Sequence, residues 1–276
     1  MPTGGKKNIN ESIARSKMKY QIHMDKLKEL ILKFQKARIL VIGDMMLDHY
    51  IQGAVSRISP EAPVPIINVS SEVFKLGGAA NAINNITALG GKAVAIGYTG
   101  ADLNGRKLRS LLKKMGVDTK WVVTVQDRPT TTKTRITAGQ QIARFDKEVT
   151  NDIDPKYTKQ FLDFIGKNID DVDAILISDY DKGVVTGRLL KDVIPLARRH
   201  GKPIVIDPKY RHFSDYEGVT VVLPNISEAS TATGVDPAEE DAIRKMGQSI
   251  LRKLQCDAVL ITRGKDGISL FEGKGK

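Results

Sequence analysis

Short apolar runs that end in glycine or a polar residue recur along the chain, at Arg38 to Gly43, Ala93 to Gly97, Ala174 to Ser178, Ile204 to Asp207, Val219 to Leu223 and Ala258 to Thr262. Runs of this length predict strands buried on both faces. Between most of them lie segments with helical period: Leu103 to Met115, Pro155 to Asn168, Thr186 to His200 and Pro237 to Leu254. Alternating strands and helices imply right-handed crossovers, hence an α/β fold with a mainly parallel sheet covered by helices on both faces. Ligands of such sheets bind beyond the carboxyl ends of the strands.

Two regions break the rhythm. Residues 49–74 carry Tyr50, Ile51, Val64, Ile66, Ile67 and Val69 among Pro60, Pro63 and Pro65, and residues 121–146 are rich in Val and Thr. Both predict short strands or edges outside the parallel sheet, placed together as a small β-lid that would exclude water from a site. From Asp25, the residues Leu27, Leu30, Ile31 and Phe34 repeat at i, i+3, i+4 and i+7, which predicts an amphipathic helix packed on the body. Residues 1–24 are polar and aperiodic and are expected to form a disordered basic leader.

Charge changes the picture less than its total of +11 suggests. Met1 to Arg38 holds ten Lys or Arg against three acids, a surplus of seven, which leaves a nearly balanced body. A basic extension without base-stacking aromatics argues against a nucleic-acid partner. The single cysteine, Cys256, precedes an apolar run and reads as a buried structural thiol. No apolar run approaches the length of a membrane span, and the N-terminus lacks the apolar core of a secretory signal. A cytoplasmic protein with no membrane partner is expected.

Candidate chemistry gathers where the strands end. The ends read Gly43-Asp44-Met45-Met46-Leu47-Asp48, Ser178-Asp179-Tyr180-Asp181-Lys182-Gly183, Asp207-Pro208-Lys209, Pro224-Asn225-Ile226-Ser227-Glu228 and Thr262-Arg263-Gly264-Lys265-Asp266-Gly267. Each is a reasonable helix cap or turn alone, but their convergence at one edge favours a binding site. The stretch Leu76 to Asn85 adds a Gly77-Gly78 turn before a helix, and Asn81 offers both a donor and an acceptor to a polyol.

On these segments, with Ser56-Arg57-Ile58-Ser59-Pro60-Glu61-Ala62-Pro63-Val64-Pro65, the chain from Arg38 to about Phe271 resembles the ribokinase-like, PfkB-type carbohydrate kinases, and most of all their heptose-7-phosphate kinases. The resemblance implies a three-layer α/β sandwich with a β-lid. It implies transfer of the ATP γ-phosphate to a sugar, with ATP and Mg2+ as cofactors. The anomeric hydroxyl of D-glycero-D-manno-heptose 7-phosphate would be the acceptor, in the supply of ADP-heptose for lipopolysaccharide. A kinase for another sugar or nucleoside, or a catalytically silent sugar-binding or assembly subunit, are the alternatives.

Residue by residue, the resemblance assigns the sugar to Asp48, Gly77, Gly78 and Asn81. A sugar that already bears a phosphate also needs cations, for which Arg135, Arg144 and Lys182 are candidates, with Lys209 a further one. The nucleotide falls to Asn225, Glu228, Thr262, Arg263, Gly264 and Gly267, and magnesium to Glu228 through water. No G-x-x-x-x-G-K-[ST] run occurs, so the phosphates are not held by a P-loop. Apolar residues on the lid imply a homodimer joined through the two lids. Asp181 and Tyr210-Arg211 depart from the family pattern, which has glycine at the first place and a small Gly-Thr at the second. From Leu260 to Lys276 there is no Gly-Ala-Gly-Asp turn, the family's source of a catalytic base. The base is therefore expected beyond Lys276, and residues 25–276 are expected to be a kinase domain cut before that turn.

Overall fold

The computed structural model describes residues 26–273. In chain order the elements are helix α1 (residues 26–33), β1 (Arg38–Gly43), β2 (Met45–Ile58), β3 (Pro65–Gly78), α2 (Ala79–Ala88), β4 (Lys92–Gly100), α3 (Leu103–Lys114) and β5 (Val122–Val125). They continue with β6 (Thr131–Ala138), β7 (Gln140–Lys147), α4 (Pro155–Asn168), β8 (Ala174–Ser178), α5 (Gly187–Arg199), β9 (Ile204–Asp207), β10 (Val221–Val222), α6 (Ile226–Thr233), α7 (Ala242–Leu254), β11 (Ala258–Thr262) and β12 (Ile268–Glu272).

Eight strands form the main sheet in the order β12-β11-β10-β9-β8-β1-β4-β5. All neighbours pair in parallel except β12, which runs antiparallel to β11. The double-faced apolar runs explain this sheet. Leu40 and Ile42 of β1 join one core with helices α4, α5 and α7, while the alternate residue Val41 joins a second core with α2 and α3. Fully burying each such aliphatic side chain stabilises the fold by about 1.5–3 kcal/mol. On the α2 and α3 face, however, the far strands are thinly covered, and Ile268 and Leu270 of β12 are exposed.

The lid is a second sheet of four strands in the order β3-β2-β6-β7. Two expectations change here. Residues 49–74 form no short strands but most of a long antiparallel pair, 14 residues each in β2 and β3, with Pro60 and Pro63 in the connecting loop and Pro65 at the first strand position. Proline is tolerated at that position because it has no N–H to withhold from the ladder interior. Residues 122–125 are not lid at all: β5 pairs in parallel with β4 in the main sheet. The crossover this requires is supplied by α3, and Val122 and Val125 are buried.

The leader expected at 1–24 lies outside the described residues. Helix α1 is present, yet its apolar face does not pack on the body: Leu27, Leu30 and Ile31 are 51%, 51% and 57% exposed. Periodicity reports that a helix has an apolar face and is silent about what covers it. Two helices were imperfectly read. Helix α7 starts at Ala242 rather than at Pro237, and the eight-residue α6 is too short to show a period.

Candidate active site

The polar strand ends converge as expected. A cleft of about 430 Å³ at the carboxyl edge of the sheet is lined by Ser178, Tyr180, Asp207, Lys209, Asn225, Glu228 and Thr262, with Ala82, Leu176 and Leu223. A larger groove of about 830 Å³ runs along α5 between Gly187 and Arg198, away from these strand ends.

The lid enters the site directly from the first strand, because only Asp44 separates β1 from β2. Strand alternation puts Asp48 and Tyr50 on one face of β2, and the register continues that face across β6 through Lys133 and Arg135 to Asp146 and Arg144 on β7. The result is one charged face. Arg135 donates to Asp48 Oδ1 at 2.5 Å, and Arg144 holds Asp146 through two hydrogen bonds of 3.0 and 2.8 Å. That carboxylate raises the Arg144 pKa further. Lys182 reaches across from the loop after β8 to Glu148 at 2.9 Å, and Lys133 lies 3.3 Å from Asp146 and 3.5 Å from Glu148. Two of the cations proposed from sequence, Arg144 and Lys182, thus share one network with Lys133, Asp146 and Glu148, which sequence reasoning did not single out, while Arg135 pairs with Asp48 on the same face.

Gly77 and Gly78 are required by close approach. A Cβ on Gly77 would sit 2.7 Å from Asp48 Oδ2, and Gly78, at φ +55°, lets the chain turn into α2 beside the Asp44 carbonyl. Asn81 is placed differently. It lines a neighbouring groove between β3, α2 and α3, with Lys75, Asn84 and Lys114, while Ala82 faces the strand-end cleft.

Behind the site, Asp44 is buried and accepts hydrogen bonds from the Tyr180, Lys182 and Val184 amides at 2.8, 3.1 and 3.0 Å. Burial, aided by the nearby Asp179 charge, pushes its pKa up to about 6. These bonds fix the loop that presents Tyr180 and Lys182. The two departures from the family pattern meet in the same loop. Asp181 takes the left-handed conformation at φ +56°, where glycine is usual, and its carboxylate accepts from Arg211 at 3.1 Å. Asp tolerates this conformation better than most residues.

Along the strand-end cleft, Asn225 and Glu228 form a reciprocal capping box at the start of α6, with bonds of 2.9 and 3.0 Å. Lys209 also binds Glu228 directly. Burial, then the Glu228 charge, pushes Asp207 up to about 6 against the opposing pull of Lys209. Thr262 lies in the cleft, bridged to Asn225, and Arg263, Gly264 and Gly267 form the adjoining turn at the end of β11. Glycine suits Gly264 and Gly267, which adopt φ +58° and +85°. Arg263 donates to the Asp266 carbonyl at 2.8 Å, while its Nε is buried without a partner.

Among the described residues no cluster of three His, Cys, Asp or Glu side chains could enclose a metal ion. The donors in the cleft nevertheless fit Mg2+. They are hard oxygens, and Mg2+ is commonly held by one or two carboxylates with water and substrate phosphates. Burial first and the neighbouring Glu228 charge second hold Asp207 up, and a cation beside the two carboxylates would offset the second of these. Cys256 is buried, and burial pushes its thiol up to about 11, so it is an inert core residue.

A parallel sheet with helices on both faces, polar strand ends and a four-stranded lid rising from the first strand is the ribokinase-like architecture. Phosphofructokinase-2 of Escherichia coli, in its tetrameric inhibited form, is similar with a TM-score of 0.66 and 22% identity over 87% of this chain and 77% of that one. Arabidopsis thaliana ribokinase, complexed with ribose and ATP, is similar with a TM-score of 0.65 and 17% identity over 87% and 76%. Residues 36–276 match the pfkB family carbohydrate kinases, and the chain belongs to that family. Among curated relatives, the bifunctional protein HldE of Geotalea uraniireducens is 41% identical over 251 residues, 91% of this chain and 51% of that protein. The same-named protein of Wolinella succinogenes is 39% identical over 235 residues, 85% of this chain and 50% of that one. The chain spans about half the length of the curated relatives it matches.

No helix among the described residues is long and apolar enough to cross a membrane.

Proposed function

We propose that this carbohydrate kinase domain acts on a sugar phosphate, D-glycero-D-manno-heptose 7-phosphate, and directs the γ-phosphate of ATP to its anomeric hydroxyl. The observation that carries the reading is the lid face on which Asp48 stands beside Arg135, Lys133 and Arg144 and opposite Lys182. A carboxylate suits sugar hydroxyls, and cations suit a phosphate already on the substrate. The similarity to HldE proteins supports a heptose within that class.

In this reading Asp48 accepts from sugar hydroxyls while Arg135 holds it in place. Arg144 and Lys182 exchange their carboxylate partners for the substrate phosphate, and the closed lid excludes water. Lys209 neutralises nucleotide phosphate charge. Asp207 and Glu228, the latter fixed by the Asn225 cap, would hold Mg2+ through water. Bound there, the ion would supply charge neutralisation and alignment of the phosphates. The test is a panel of heptose 7-phosphate, other sugar phosphates, ribose and adenosine, with binding and ADP release measured separately. Tightest binding of the heptose phosphate supports the reading, and preference for ribose or adenosine overturns it.

Asp207 gives this reading a pH signature. Its pKa of about 6 means that protons compete for the carboxylate below that value. Magnesium-dependent ADP affinity should therefore weaken as pH falls from 7 through 6, and Asp207→Asn should remove that component of the dependence in calorimetric titrations.

We also propose a twofold dimer joined through the lids. Strand β2 pairs with β6 only as far as Gln52, so the outer part of the β2 and β3 pair protrudes as a two-stranded ribbon. Such a ribbon is marginal alone. Val55, Ile58 and Val69 are exposed on it and Ile66 is half-buried, while at its base Val73 is exposed opposite the half-buried Tyr50. Sedimentation at micromolar concentration should show a dimer that Val69→Asp and Val73→Asp together convert to monomer.

A further inference from the structure

Helix α1 carries an apolar face that the body leaves open. Leu27, Leu30 and Ile31 are about half exposed and Phe34, just past the helix, is 38% exposed. At helical spacing these four residues occupy an arc of about 100°. Lys26 and Lys33 border one side of that arc and Lys28 borders the other. Lysines so placed can extend their ammonium groups away from an apolar boundary while their stems remain in it.

The helix has a defined place on the molecule. The Phe34 carbonyl accepts from the Ala37 amide at 3.0 Å, and the Ala37 carbonyl accepts from the Lys92 amide at 2.8 Å. Helix α1 therefore sits where β1 and β4 enter the sheet, at the pole opposite the cleft. In a parallel α/β fold the helices that lead into strands end at this same pole. Four of them have basic last turns here, with Lys113 and Lys114 in α3, Lys167 in α4, Arg198 and Arg199 in α5 and Arg252 and Lys253 in α7, while α2 has none. Each pair complements a helix dipole locally. Together with Lys26, Lys28, Lys33 and Lys36 of the α1 segment, they make one positively charged pole around an open apolar helix face. Asp170, Asp171, Asp173 and Asp257 lie among them without reversing that sign.

We propose that this pole docks on an anionic phospholipid surface, with α1 lying in the interface, its leucines, Ile31 and Phe34 among the acyl chains and the basic residues on the headgroups. Apolar contact and charge are each weak anchors, and their combination gives stable adsorption. Charge complementarity selects this occupant. A second copy of the helix would bring the same lysines to the contact, and a nucleic acid would leave four apolar side chains without a role. That no helix among the described residues is long and apolar enough to span concerns crossing the bilayer and leaves adsorption on its surface open. Docked this way, the substrate cleft faces the aqueous phase.

The test uses the full 276-residue chain and sedimentation with vesicles of phosphatidylcholine alone or of phosphatidylcholine and phosphatidylglycerol at about 2:1. The chain should pellet with the anionic vesicles only and be released when salt is raised from about 0.1 M to about 0.5 M. Leu30→Gln with Phe34→Gln should weaken binding by about tenfold or more. Lys26→Gln, Lys33→Gln and Lys36→Gln together should weaken it by about a hundredfold. Both variants should keep the parent melting temperature, since these side chains are exposed. Binding to neither vesicle, equal binding to both, or anionic binding that both variants retain would overturn the proposal. A smaller sedimentation coefficient of the lipid-free Leu30 and Phe34 variant would assign the face to a second copy and overturn it as well.

Discussion

Replacing Asp48 with Ala is expected to weaken heptose 7-phosphate binding by about a hundredfold or more, with little change in the binding of ADP. Asp48 is the carboxylate on the charged face of β2 proposed to meet the sugar, 21% exposed at its side chain and held at 2.5 Å by Arg135. Hydrogen bonds to a charged acceptor contribute about 1.5–3 kcal/mol each, so losing the acceptor for even one or two hydroxyls accounts for the predicted loss. A second effect adds to it, because Arg135 is left beside the substrate without its anion. Asp48→Asn should recover part of the affinity, since an amide oxygen still accepts while the charge is gone. Gly77→Ala supplies an independent probe, for its new methyl would press on the same carboxylate oxygen. Calorimetric titration of the sugar phosphate and of ADP on each variant separates the two half-sites. Unchanged sugar affinity in Asp48→Ala would remove Asp48 from the site.

The sheet was legible because its strands are buried on both faces, which leaves short apolar runs that nothing else in a chain of this composition produces. Strands β8, β9 and β11 fall at the residues the pattern indicates. The lid boundary was less legible, since a four-residue run such as Val122 to Val125 has the same composition whether it completes the main sheet or a lid. Only the crossover through α3 decides its place. Polar strand ends announced that Lys209, Asn225 and Glu228 would line one cleft, because glycine and acidic residues interrupt apolar runs at one end only. The network of Lys133, Asp146 and Glu148 was not announced. A signal existed in the two-residue spacing of Lys133 with Arg135 and of Arg144 with Asp146, which puts each pair on one strand face, but joining them needs the register of β2, β6 and β7. Asp181 and Arg211 were each visible as departures from a pattern; that they bind one another required the structure.

Phosphoryl transfer by the 276-residue polypeptide measured alone is expected to be at least about 10^4-fold slower than by the same polypeptide extended with a Gly-Ala-Gly-Asp-bearing segment from a relative. Asp48 is committed to Arg135, and Glu228 to the α6 cap and to Lys209. Asp102 caps α3 and accepts from the Gly105 amide and from Thr130, bonds that outweigh its burial and hold it below the usual carboxylate range. Asp207 remains in the cleft with a pKa of about 6, but it closes β9 rather than opening a helix. It therefore lacks the adjoining helix amides that would receive the charge of the transferring phosphoryl group. A positioned base contributes about 10^2–10^4-fold and an anion hole a comparable factor, so a site to which the described residues supply neither retains binding and loses most of its rate. The same extension should raise the melting temperature if it covers Ile268 and Leu270, which stand exposed on β12. Fast ADP formation by the 276 residues alone would refute this account.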